Sequence, residues 1–163
     1  MSDWTAPAFI DLLQTRLLAR ATLTAMDPPV AVFTYDPNPD DTVTDRLVIG
    51  YRVADENEPA ALGQGRYEET VTVNCEIMVV RAGAGDVKAA AARTRAADIL
   101  GELDNELRTD PLPQVGDQTT HAQIAKREMM QFPSTYGTAG AGVRVCVIRL
   151  DVVYTARTSP AST

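Results

Sequence analysis

The residues best equipped for chemistry in this 163-residue chain are few: one histidine, His121, two cysteines, Cys75 and Cys146, a glycine pair, Gly83 and Gly85, and acids near Asp40, Asp41 and Asp45. The glycine pair raises the most specific possibility. In IMVVRAGAGDVKAAAAR, residues 77–93, an apolar run turns at two glycines into an alanine-rich helical pattern, the outline of a phosphate cradle. A dinucleotide fingerprint requires G-x-G-x-x-G after a buried parallel strand, the third glycine allowing close helix packing. Lys88 occupies that third place, the preceding strand alternates as a half-wet antiparallel strand does, and Asp86 puts a carboxylate where the phosphate would sit. As an N-cap, Asp86 is expected to contribute about 1 kcal/mol to the helix. The stretch therefore reads as a corner between strand and helix.

The other candidates are weaker. YGTAGAGVRV, residues 136–145, runs into a strand and offers no helix N-terminus to an anion, and no Gly-Lys-Ser/Thr ending marks a P-loop. His121 stands alone, so metal or triad chemistry would hang on one residue. Cys75 and Cys146 lie in apolar β-like runs, as buried reduced thiols do. Glu102, Asp104 and Glu106, two residues apart on a helix, read as a solvated face. DPNPDDTVTD lacks the ordered ligand spacing and glycine of a calcium loop, and reads as an acidic connection. No catalytic constellation, cofactor site or metal site emerges, and the expectation is a protein that is not an enzyme.

Composition frames this. With 45% hydrophobic and 23% charged residues the chain matches folded globular proteins, and at this length one domain buries roughly 70% of its unfolded surface. The net charge of −7 opposes general nucleic-acid binding. No apolar stretch reaches the ~20 residues needed to span a bilayer, and the amino terminus lacks a basic n-region, so synthesis in the cytoplasm is expected.

The elements follow from periodicity. A helix is predicted from Thr5 or Ala6, with Thr5 as N-cap, Phe9, Ile10, Leu13, Leu17 and Ala21 as its apolar face, and MDPP at 26–29 as its end. Residues 30–35 and 46–53 read as an antiparallel strand pair, and 54–65 as a long loop. Residues 66–80 alternate most clearly, with Tyr67, Val71, Val73, Cys75, Ile77 and Val79 on one face and Glu68, Thr70, Thr72, Asn74 and Glu76 on the other. A second helix spans Asp86 to about Arg108, burying Ala89, Ala92, Ala96, Ile99 or Leu100, Leu103 and Leu107. Residues 121–132 read as a strand in which Ala122, Ile124, Met130 and Phe132 alternate. Residues 143–157 read as another, with Cys146, Ile148, Leu150, Val152 and Tyr154 inward and Arg149 and Asp151 outward. The predicted class is α+β: one antiparallel-dominated, mixed sheet with two helices on one face, in the order α-β-β-β-α-β-β. It forms a single domain over 1–157 and a tail over 158–163. The opposite sheet face must meet solvent or another subunit.

An amino-terminal helix, a β-region, YEETVTVNCEIMVVR, then ARTRAADILGELDNELRTDPLP and GAGVRVCVIRLDVVYTART together resemble the tail terminator proteins of long-tailed, non-contractile phages, especially those of actinobacterial hosts. The resemblance implies a structural virion protein of the tail-neck region. Such a protein assembles as a homo-hexameric ring on the tail tube protein, halts tube growth and docks the head-closure or connector protein, while DNA passes through without specific binding. Alternatives are another neck component, such as a head-closure protein, or a small-molecule-binding α+β domain. Thr70, Thr72, Asn74, Arg149, Asp151 and Tyr136 are the candidate subunit or partner contacts. Asp40, Asp41 and Asp45 are the candidate channel-facing acids, since an acidic lining would let DNA slide.

Overall fold

The computed structural model describes residues 5–35, 44–58, 67–109, 121–134 and 142–158. The elements are α1 (Ala6–Ala19), α2 (Ala21–Thr24), β1 (Ala31–Phe33), β2 (Asp45–Glu58), β3 (Tyr67–Ala82), α3 (Asp86–Thr109), β4 (His121–Ser134) and β5 (Val143–Thr158). The strands form one mixed sheet in the order β1-β2-β3-β5-β4. The chain thus has the expected α+β class. Residues 36–43, 59–66 and 135–141, with Asp40, Asp41 and Tyr136, and the tail beyond 158 lie outside the described residues.

The helix layer rests on one sheet face. Val71, Val73, Cys75, Ile77 and Val79 of β3 and Cys146, Ile148, Leu150, Val152 and Tyr154 of β5 are buried against Phe9, Leu13 and Leu17 of α1 and Ala92, Ala96, Ile99, Leu103 and Leu107 of α3. Period two on the strands and three-to-four on the helices place these residues together. Phe9 stacks on Tyr154 at a centroid separation of 4.3 Å. α3 carries the chain from β3 to β4, and β5 returns to lie between them, a split β-α-β arrangement.

Several expectations are corrected. β1 pairs with β2 in parallel, not antiparallel, over Ala31–Phe33 and Arg46–Val48. The intervening residues, 34–44, exceed the two to five of a hairpin and are long enough to bring the chain back past a three-residue strand. Residues 54–58, read as loop, continue β2 and pair with β3 as far as Glu58↔Glu68. The first helix stops at Ala19, Arg20 is extended, and α2 follows as a single turn. That break exposes Ala21 and puts Leu23 in the core instead. Asp86 lies inside α3, and Gly85 caps it, its carbonyl accepting the Ala89 N–H at 3.2 Å. Thr5 precedes α1 but its side chain makes no cap bond.

Two β-bulges interrupt the outer strands. In β4 the register shifts between Ile124 and Lys126, so one extra residue flips the strand. Ala122 and Ile124 pack on the main core, whereas Met130 joins Val143, Val145, Val147, Met78 and Val80 on the opposite face. Phe132, opposite Val145, shares that face. The predicted single stripe is therefore divided between two faces. In β2 the shift falls between Ile49 and Arg52, at Gly50, whose φ is +76°.

Glycine is required there on two counts. L side chains rarely adopt this φ, and a Cβ on Gly50 would stand 2.7 Å from Ile10 Cδ1. Gly50→Ala is expected to destabilise the fold by about 1–3 kcal/mol, read as a lower denaturation midpoint. Adding Ile10→Val, which removes Cδ1, should recover only the contact share of that loss.

Candidate interaction surface

The sheet face away from the helices brings together Thr70, Thr72, Asn74, Arg149 and Asp151 of the predicted contacts. Thr70 lies opposite Thr155, Thr72 opposite Val153, Asn74 opposite Asp151 and Glu76 opposite Arg149. β4 extends these rows with Lys126 beside Asp151 and Glu128 beside Arg149. The Asn74 amide donates to Asp151 Oδ1. Arg149 Nε donates to Glu76 Oε2 at 3.0 Å, and that bond holds its guanidinium above its ordinary pKa. Thr70, Thr72, Asn74 and Asp151 are half-buried, and Arg149 is 55% exposed along its side chain.

Toward the Gly83–Gly85 corner the same face turns apolar. Met78, Val147 and Met130 share one row, and Val80, Val145 and Phe132 the next. This surface grades from hydroxyls and amides through ion pairs to aliphatic side chains, a composition suited to packing against protein. The corner itself is a backbone turn: Gly83 and Gly85 have φ of +102° and +96°, and the Gly83 N–H donates to the Gly142 carbonyl at 2.9 Å. A depression of about 440 Å³ beside it is lined by Ala84, Pro133, Ser134, Gly142, Val143 and Arg144. One charged side chain in that lining does not make the convergent polar set of a ligand site.

Asp45 does not face a channel. It is fully buried on the helix side of the sheet, opposite Val79. Arg81 grips both its oxygens, at 2.5 and 2.9 Å. Arg95 Nε donates to Oδ2 at 2.7 Å while Arg95 NH2 donates to the Pro28 carbonyl at 2.5 Å. Glu102 and Glu106 likewise leave the predicted solvated face. Four residues apart on α3, they converge on the last turn of α1 and the residues that follow it. Arg20 meets Glu106 at 2.5 Å and Glu102 at 2.9 Å, Arg16 Nε meets Glu106 at 2.7 Å, and the Thr22 hydroxyl donates to Glu102 at 2.6 Å. Asp104 pairs instead with Arg108 at the surface.

Glu69 was absent from the predicted faces, yet its odd position puts it inward with Val71 and Val73. It is buried, accepting the Thr5 hydroxyl at 2.9 Å, and Thr5 Oγ1 lies 2.8 Å from the Tyr154 hydroxyl. Because Thr5 spends its one proton on the carboxylate, Tyr154 donates to Thr5. Parity alone marks Glu69 as inward in the sequence. Burial pushes the Cys75 thiol up to about 12 and raises that of Cys146, so neither is an activated nucleophile. Among the described residues no three His, Cys, Asp or Glu side chains cluster as a metal would need, and no helix is long and apolar enough to cross a membrane.

Asp45→Asn should cost about 3 kcal/mol, because two guanidiniums lose most of their counter-charge while still largely buried; chemical denaturation reads this. Glu102 is held below its ordinary value of 4.5 by the Thr22 hydroxyl and then by Arg20. Its contribution to stability is therefore complete above that ordinary value and is lost as pH falls through the lower, folded value. Glu102→Gln should flatten that acid limb of a stability-against-pH curve and reduce stability at neutral pH. Compared with models of known protein families the chain matches none, and no curated protein matches it in sequence.

Proposed function

We propose that this protein is a structural ring subunit that caps a phage tail tube, stops its polymerisation and presents the joining surface for the head. The observation that carries the reading is the outer sheet face. It spans the sheet with a graded apolar-to-polar surface, while the core is already complete on the other side. The resemblance of the strand and helix pattern to tail terminators supplies the identity of the machine. In this role the described contacts, Thr70, Thr72, Asn74, Asp151 and Arg149, meet neighbouring subunits, the tail tube protein or the connector, and the protein resides in the virion neck. Asp40 and Asp41, with the overall charge of −7, favour a channel that passes DNA without holding it.

Purified protein added to polymerising tail tube protein of the same phage should stop elongation and appear at one tube end by negative-stain microscopy. Thr72→Arg, on the half-buried outer row, should weaken capping while circular dichroism shows the fold retained. Tubes that elongate unchanged, with the protein bound only to the connector, would favour a head-closure role instead.

A further inference from the structure

Among the described residues both edges of the sheet are open, and they are unlike each other. β1 covers β2 only at Arg46–Val48, so among the described residues no strand pairs with the outer side of β2 from Ile49 to Glu58. At the other edge, among the described residues, β4 pairs with β5 alone. The free part of β2 ends in Asp55, Glu56, Asn57 and Glu58, whereas the middle of β4 carries Lys126 and Arg127, both exposed. We infer that the outer edge of β4 in one subunit adds to the free edge of β2 in a second copy of this chain, continuing the sheet across the boundary. Such an edge contact would supply the ring proposed above with its subunit boundary.

Strand direction agrees. β2, β3, β5 and β4 alternate in direction across the sheet, so a neighbour in the same orientation sets its β2 antiparallel to β4. Antiparallel pairing satisfies the exposed backbone groups of both strands. One register matches both charge and polarity. Setting Lys126 opposite Glu56 of the second copy places Arg127 opposite Asp55, Glu128 opposite Ala54 and Met129 opposite Val53. Met129 is 46% exposed in the single chain, and both it and Val53 lie in rows that face the helices, opposite Ile148 and Val73. Opposite charges and apolar pairs directly across an antiparallel ladder stabilise it, and like charges destabilise it. Pairing two β2 edges about a twofold axis would gather their acids, and pairing two β4 edges centred on Arg127 would set Arg127 against its own copy, with Lys126 against Glu128 as the one compensating pair. The unlike pairing is heterologous, the kind that builds a ring when its rotation closes and a filament when it does not.

The test exchanges the charges. Lys126→Glu/Arg127→Glu makes both edges acidic, and Asp55→Lys/Glu56→Lys makes both basic. Each variant, folded by circular dichroism, should associate about tenfold or more weakly than the parent chain in sedimentation. An equimolar mixture should regain association, since each edge then finds its opposite, and so should the fourfold variant, whose net charge equals that of the parent. Register is read by Ala54→Cys mixed with Glu128→Cys, which should form an intermolecular disulfide while buried Cys75 and Cys146 stay reduced. A parent chain monomeric throughout the concentration series, charge-reversed variants that associate as the parent does, or a mixture that fails to recover would each overturn the contact. If the mixture recovers but tubes are not capped, the edge contact stands and the tail role falls.

Discussion

The carboxylate of Asp45 is the constraint from which the arrangement of the layers follows. An ion at 0% exposure is tolerable only when its partners replace water, and these partners come from separate parts of the chain. Arg81 lies near the end of β3, Arg95 sits in the first half of α3, and Arg95 also holds the carbonyl of Pro28 in the turn before β1. One buried charge thus fixes where α3 crosses the sheet and where the chain enters β1. Moving any of these elements would leave a guanidinium or carboxylate desolvated without a partner.

Two further polar clusters hold the same layer. Arg16 and Arg20 join the end of α1 to Glu102 and Glu106 of α3. At the start of α1, Thr5 links Glu69 of β3 to Tyr154 of β5. Gln14 Nε2 donates to the Val32 carbonyl at 3.1 Å, tying α1 to the short parallel strand. The aliphatic core between these points supplies most of the driving force but little direction, and the charged and hydroxyl contacts select one orientation. The outer face is free to differ because nothing in the core depends on it.

Periodicity made β3, β5, α3 and most of α1 legible in the sequence, since their apolar spacing matches what they bury. The failures share a physical origin. Asp45, Glu69, Glu102 and Glu106 look like surface residues by type, and only the third dimension supplies the arginine or hydroxyl that lets each be buried. Parallel pairing of β1 was hidden because turn-forming residues say that the chain bends, not where it returns. The outer face was half legible: Thr70, Thr72, Asn74, Arg149 and Asp151 follow from alternation. Met130 and Phe132 needed knowledge of the extra residue at Ala125, which no local pattern announces.

That extra residue has a counterpart. β3 and β5 pair without interruption from Tyr67↔Thr158 to Ala82↔Val143, while β2 and β4, flanking them, each carry a bulge near the level of Asn74 and Asp151. At mid-height, then, the flanking strands hold more chain than the central pair. A surface whose rim is longer than its middle cannot lie flat, and bulges deepen the twist already present in strands. A partner packing on the outer face therefore meets a twisted surface, not a flat one.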